Sequence, residues 1–112
     1  MITEYDFGRI VVNGEEYLGD LIILKEKVIS KWWRKEGHTL LPQDLEEIIK
    51  EKPEILVVGT GASGYMQIAP QTKRFLEDHG IELIYEKTDR AVALFNGLRE
   101  KRDTAGAFHL TC

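Results

Sequence analysis

The residues 59–64 read Gly-Thr-Gly-Ala-Ser-Gly directly after the apolar run Ile55-Leu56-Val57-Val58, spelling G-x-G-x-x-G at the end of a candidate strand. In a dinucleotide site that turn opens a helix, whose first amides and positive dipole end face a pyrophosphate. An acidic residue about twenty positions on then takes the ribose. Here the preceding strand is present and Glu86 closes the next one. The helix start is displaced, because Gly64 is followed by Tyr65-Met66-Gln67-Ile68-Ala69-Pro70. Pro70 lacks an N–H and disfavours α conformation at Ala69, so a helix running unbroken from Gly61 is not expected. Tyr65 also stands where a P-loop requires lysine and where a nucleophile elbow requires its second glycine. The first reading is thus a tight turn at the carboxyl end of a parallel strand. The second is an anion or small-ligand site built on Gly59, Thr60, Gly61, Ser63 and Gly64, with Arg34 and His38 as possible helpers.

The remaining chemistry-bearing residues are sparse. The three histidines, His38, His79 and His109, include no i, i+4 pair, and a single cysteine, Cys112, excludes a C-x-x-C metal site. His79 precedes Gly80 at a helix end and suits a capping role. His109 and Cys112 point to opposite faces of an extended strand, which disfavours a Cys–His pair. No catalytic set, metal or cofactor is expected. Trp32 and Trp33 alternate on a candidate strand, which would leave one in the core and the other free for a protein partner.

Such residues need a scaffold, and 112 residues provide one domain, 1–112. The Asn13-Gly14 pair joins candidate strands Phe7–Val12 and Tyr17–Leu24 as a hairpin, and Lys27–Trp33 reads as a third strand. Arg34–Leu40 reads as a loop. Leu41, Leu45, Ile48 and Ile49 then form one helical face. Strand 54–58 follows, then a helix from Pro70 to just before Gly80, strand Ile81–Tyr85, a helix capped by Thr88, and strand Ala105–Leu110. The fold class is α/β: an N-terminal β-meander, then α-β-α-β-α-β, whose strand–helix–strand units call for parallel pairing.

Nineteen acidic against fifteen basic residues give a formal charge of −4, which argues against nucleic acid as the partner. The local basic stretch Lys25, Lys27, Lys31, Arg34 and Lys35 reads as a solvated face. No apolar run is long enough to cross a bilayer, and Met1–Gly8 lacks the basic start and apolar region of a targeting peptide, so a cytoplasmic chain is expected.

A family resemblance rests on Phe7-Gly8 with Gly14, Tyr17 and Asp20; on Trp33-Arg34 with Gly37-His38 and Asp44-Leu45; and on Val57-Val58-Gly59-Thr60-Gly61. It extends through Gly80-Ile81, through Thr88, Ala91 and Asn96, and to the closing His109-Leu110-Thr111-Cys112. The chain resembles the small domain shared by a mitochondrial complex I assembly factor, the vertebrate adipogenesis-associated protein and many uncharacterised bacterial and archaeal proteins. The resemblance implies a three-layer α/β domain with a central mixed sheet and implies no reaction or cofactor. The mitochondrial member works by protein–protein contact. A protein-interaction module, monomeric or weakly dimeric, is the expectation, with a ligand-binding protein or minor enzyme using the glycine loop as the alternative.

Overall fold

Hydrophobic alternation on three strands sorts the core into two slabs, one on each face of a central sheet. The computed structural model describes residues 1–25 and 27–112. The first hairpin unit is a three-stranded antiparallel sheet of β1 (Ile2–Asp6), β2 (Arg9–Val12) and β3 (Glu15–Tyr17). Asn13 and Gly14 both have positive φ, 50° and 82°, and Val12 pairs with Glu15 across them. That is the backbone the Asn-Gly turn requires.

The central sheet holds β4 (Leu21–Ile23), β5 (Val28–Ser30), β7 (Ile55–Thr60), β9 (Glu82–Glu86) and β10 (Thr104–His109) in the order β5-β4-β10-β7-β9. β7 pairs in parallel with β10 and β9, whereas β4 runs antiparallel to both β10 and β5. It is a mixed sheet. A two-residue parallel pair, β6 (Thr39–Leu40) with β8 (Gln67–Ile68), ties the segment before the first helix to the segment after the glycine loop.

Ile22, Leu56, Val58, Ala105 and Ala107 line one face of the central sheet. There they meet α1 (Glu46–Glu51), through Ile48, and α2 (Pro70–Asp78), through Leu76. A short 3-10 turn, Pro42–Leu45, precedes α1 and buries Leu45. Leu21, Ile23, Ile55, Val57 and Phe108 line the other face, packed by Ala91 and Phe95 of α3 (Thr88–Arg99) and by Ile2, Ile10 and Val12 of the small sheet. Alternate residues on one strand therefore serve different layers, as strand geometry dictates. Phe95 and Phe108 meet edge to face at 5.5 Å, an arrangement aromatic pairs favour. A Cβ at Gly106 would stand 2.4 Å from the Phe108 ring, so that glycine is space for Phe108.

Several details differ from the sequence expectation, among them β6, which falls within the segment Arg34–Leu40 read as a loop, and β8, where no strand is expected. β1 lies ahead of the predicted first strand. Tyr17–Leu24 divides at Leu18–Asp20 into β3 and β4, because its halves belong to different sheets. The third strand stops at Ser30, where Lys31 takes φ 57°. Thr88 lies inside α3 rather than capping it, and its hydroxyl serves the glycine loop.

Candidate functional site

β7 and β10 end side by side, with Thr60 opposite His109. The glycine loop leaves β7 at that point, and the segment Leu110–Cys112 leaves β10. The two are bonded to each other. The Ala62 amide donates to the Thr111 carbonyl at 2.6 Å, and the Tyr65 amide to the Cys112 carbonyl at 3.0 Å. Gly61 donates to Thr88 Oγ1 at 2.8 Å, and Thr88 Oγ1 donates onward to the His109 carbonyl at 2.6 Å. Within the loop, the amide of Gly64 bonds Gly61 and that of Met66 bonds Thr60. Of the amides that a fingerprint would aim at a phosphate, those of Ala62 and Gly64 hold the chain's own backbone and that of Gly61 holds the Thr88 hydroxyl. Gly61 has φ 108°, and a Cβ there would fall 2.4 Å from the Cys112 carbonyl carbon. This position needs glycine for both conformation and contact.

Gly59 serves a different purpose. A Cβ on it would lie 2.7 Å from Thr88 Oγ1 and 2.9 Å from Phe108. Thr60 is buried, and its hydroxyl donates to the Glu86 carbonyl at 3.1 Å. Ser63 is exposed, and Gly64 lies against the Lys87 side chain. α2 begins only at Pro70, and the helix end that does meet the loop is that of α3, whose first amide, on Thr88, donates to the Gly61 carbonyl at 3.1 Å.

A buried polar cluster lies on the other side of the same tail. Asp20 Oδ1 accepts the Leu110 amide at 2.8 Å. Its Oδ2 lies 2.8 Å from His109 Nδ1 and 2.8 Å from Arg34 Nη1. Nδ1 cannot donate to Asp20 and also accept from Arg34 Nη2, 3.2 Å away. The shorter contact, to a carboxylate, assigns the proton to Nδ1. His109 Nε2 is then a buried acceptor without a hydrogen-bond partner among the described residues. Arg34 Nη1 is close to Asp20 yet off the line of a hydrogen bond, so that contact is an ion pair by charge. Nη2 and Nε turn to the Gly37 carbonyl at 3.1 and 3.4 Å. Burial pushes the Asp20 carboxyl upward, but hydrogen bonds from His109 and the Leu110 amide, with the Arg34 guanidinium alongside, outweigh it. Its pKa lies below the ordinary carboxylate value.

That cluster fixes the loop after β5. Trp32 is buried, with Nε1 donating to the Asp44 carbonyl at 3.1 Å and the Arg34 guanidinium 4.8 Å above its ring. Arg34 is also buried. Trp33, between two anchored neighbours, is 79% exposed. Of the two tryptophans expected at an interface, Trp33 is at the surface and Trp32 belongs to the core. His38 is exposed, and its ring meets that of His109 edge-on at 6.2 Å. The sequence-derived helpers Arg34 and His38 therefore do reach the end of the sheet from which the glycine loop departs.

Trp33 has company. Phe7 and Leu18 are 64% and 73% exposed, and Tyr65 is exposed as well. Phe7 precedes Gly8, whose amide donates to Leu110; Leu18 lies two residues from Asp20; Tyr65 donates to Cys112. These apolar side chains are distributed around residues 109–112, at the carboxyl end of the central sheet. The partnership of Asp20, Arg34 and His109 was not recognised from sequence, because up to 89 residues separate its members. Its one local signal is a histidine ending the apolar run Ala105-Gly106-Ala107-Phe108.

A family model described as a protein of unknown function (DUF498/DUF598) matches residues 2–109. The chain belongs to this family. Among solved structures, a conserved hypothetical protein from Pyrococcus horikoshii OT3 is 28% identical, with a TM-score of 0.85 over 100% of this chain and 99% of that one. The Rpa2829 protein of Rhodopseudomonas palustris is 25% identical, with a TM-score of 0.78 over 97% and 82%. A Bordetella pertussis protein described as a Mth938-like domain is 20% identical and shares the fold, with a TM-score of 0.70 over 98% and 85%. The mixed α/β architecture is thus that of the DUF498/DUF598 family, and no described helix is long and apolar enough to cross a membrane.

Proposed function

We propose that this DUF498/DUF598 domain is a protein-interaction module that docks another protein on the aromatic face at the carboxyl end of its central sheet. The observation that carries the reading is Trp33, presented to solvent between two buried and anchored neighbours, Trp32 and Arg34. An exposed indole on an immobilised backbone loses little conformational freedom on binding, and tryptophan is among the residues that concentrate interface energy. Phe7, Leu18 and Tyr65 extend the apolar surface around it. The partner is a protein segment offering apolar side chains to that face. In this reading Asp20, Arg34 and His109 are positioning residues that hold the loop.

The in-house hydrogen bonds of the glycine loop favour this reading over an anion cradle at Gly59–Gly64, since Ala62 and Tyr65 would have to release the tail before holding a ligand. The test is quantitative affinity purification from the native host with wild type, Trp33→Ala and Lys50→Ala, the last on α1. Loss of a discrete partner in Trp33→Ala alone, with unchanged melting temperature, is the expected result. Identical partner profiles for all three would overturn the proposal.

A further inference from the structure

The basic stretch read from sequence as one solvated face divides between the two ends of the molecule. Lys31 and Lys35 flank the Trp33 face, while Lys25 and Lys27 lie in the β4–β5 connection at the opposite end of the sheet. There they meet the end of α3 and the turn that follows it. Two cavities of about 290 and 280 Å³ adjoin there, both lined by Leu24, Lys25 and Arg99. One adds Lys101 and Arg102, the other Lys27. Among the described residues, five cationic side chains thus line the two adjoining cavities against three carboxylates, those of Glu15, Glu54 and Asp103, in a chain of charge −4.

The cations are also underused. Arg102 reaches Glu54 and Glu82 only at 3.8 and 3.7 Å. Among the described residues, no carboxylate pairs with Lys25, Lys27, Arg99 or Lys101. Arg99 is held 5.8 Å over the Phe95 ring, which fixes one cation at the junction of the two cavities. We propose that this double cavity binds a small polyanion, a molecule carrying two or more phosphate groups, with Arg99 and Lys25 at the shared centre and Lys27, Lys101 and Arg102 on either side. Arg99 offers planar, paired donors to phosphate oxygens, and the lysines add mobile point charges. The two volumes taken together fall within the roughly 300–1,000 Å³ of small-molecule sites. The acidic balance of the whole chain argues against a nucleic-acid backbone as the occupant.

The test is calorimetric titration of the full chain at low ionic strength with inorganic phosphate, pyrophosphate and ATP. Lys25→Ala, Arg99→Ala and Lys101→Glu are compared with wild type, and Lys50→Ala is the control. Pyrophosphate and ATP should bind more tightly than phosphate. The affinity should fall with added salt, weaken about tenfold with each removed cation, and stay unchanged in Lys50→Ala. Lys25 and Lys101 are exposed, so their variants keep the test sound should Arg99→Ala lose stability. No binding of either polyphosphate, or binding undiminished in both lysine variants, would overturn the proposal. So would displacement of pyrophosphate by short duplex DNA at equal phosphate concentration.

Discussion

Replacing Asp20 with alanine is the most informative single change to the frame beneath Trp33. Three groups lose their partner at once: the Arg34 guanidinium, His109 Nδ1–H and the Leu110 amide. Breaking a buried pair from one side costs about 3–5 kcal/mol, because the charge left behind stays buried. Asp20 retains 17% side-chain exposure, so water reaches the vacated position and the lower end, about 3 kcal/mol, applies. At about 4 °C per kcal/mol for a domain of this size, the melting temperature should fall by about 12 °C. Urea unfolding followed by circular dichroism gives the free energy directly, and an unchanged slope would show that the unfolded state is unaffected. The pH dependence supplies an independent check. The folded pKa of Asp20 is depressed, so its stabilisation is complete above the unfolded value of about 3.9 and is lost as pH falls through the folded value. The gap between wild type and Asp20→Asn should therefore be widest near neutrality and close in strong acid. A cost below about 1 kcal/mol for Asp20→Ala, the level of a surface ion pair, would refute the buried-frame argument.

Other outcomes follow from the same contacts. Thr88→Val strands the Gly61 amide and the His109 carbonyl and should cost about 2–3 kcal/mol by denaturant titration, with Thr88→Ser restoring most of it. Gly61→Ala sets a Cβ against Cys112 at a φ of 108° and should cost about 2–4 kcal/mol while raising amide exchange at Ala62 and Tyr65. Phe95→Ala opens the slab between α3 and the sheet and should cost about 3–5 kcal/mol. Arg9, which pairs with Glu4, Asp6 and Glu16 on the surface of the small sheet, should be replaceable by alanine with no measurable change in melting temperature.

Local signals in the sequence were sufficient for much of this fold. Asn13-Gly14 specified its turn, Pro70 started its helix, and the runs 55–58 and 105–108 became parallel neighbours in the sheet. Leu18–Asp20 could not be read as a break, because whether Tyr17 and Leu21 share a strand depends on pairing partners far along the chain. The surface position of Trp33 was partly legible. Alternation allowed one exposed tryptophan, but the choice between Trp32 and Trp33 is made by the Asp44 carbonyl and by Arg34. The glycine loop shows the converse. Its spacing read first as a tight turn and second as a ligand site, and the bonds from the Ala62 and Tyr65 amides to residues 111 and 112, some 50 positions away, are a pairing no local pattern encodes.

A docking face at Trp33 is open to site-specific photo-crosslinking. A photoreactive phenylalanine analogue is placed at position 33 or, on the helical face, at position 50 of the full chain, and both are irradiated in the native host. A discrete adduct at 33 that is absent at 50, and lost when Phe7 and Tyr65 are both replaced by alanine, is the predicted result. The same adducts at both positions, or none at 33, would contradict the account.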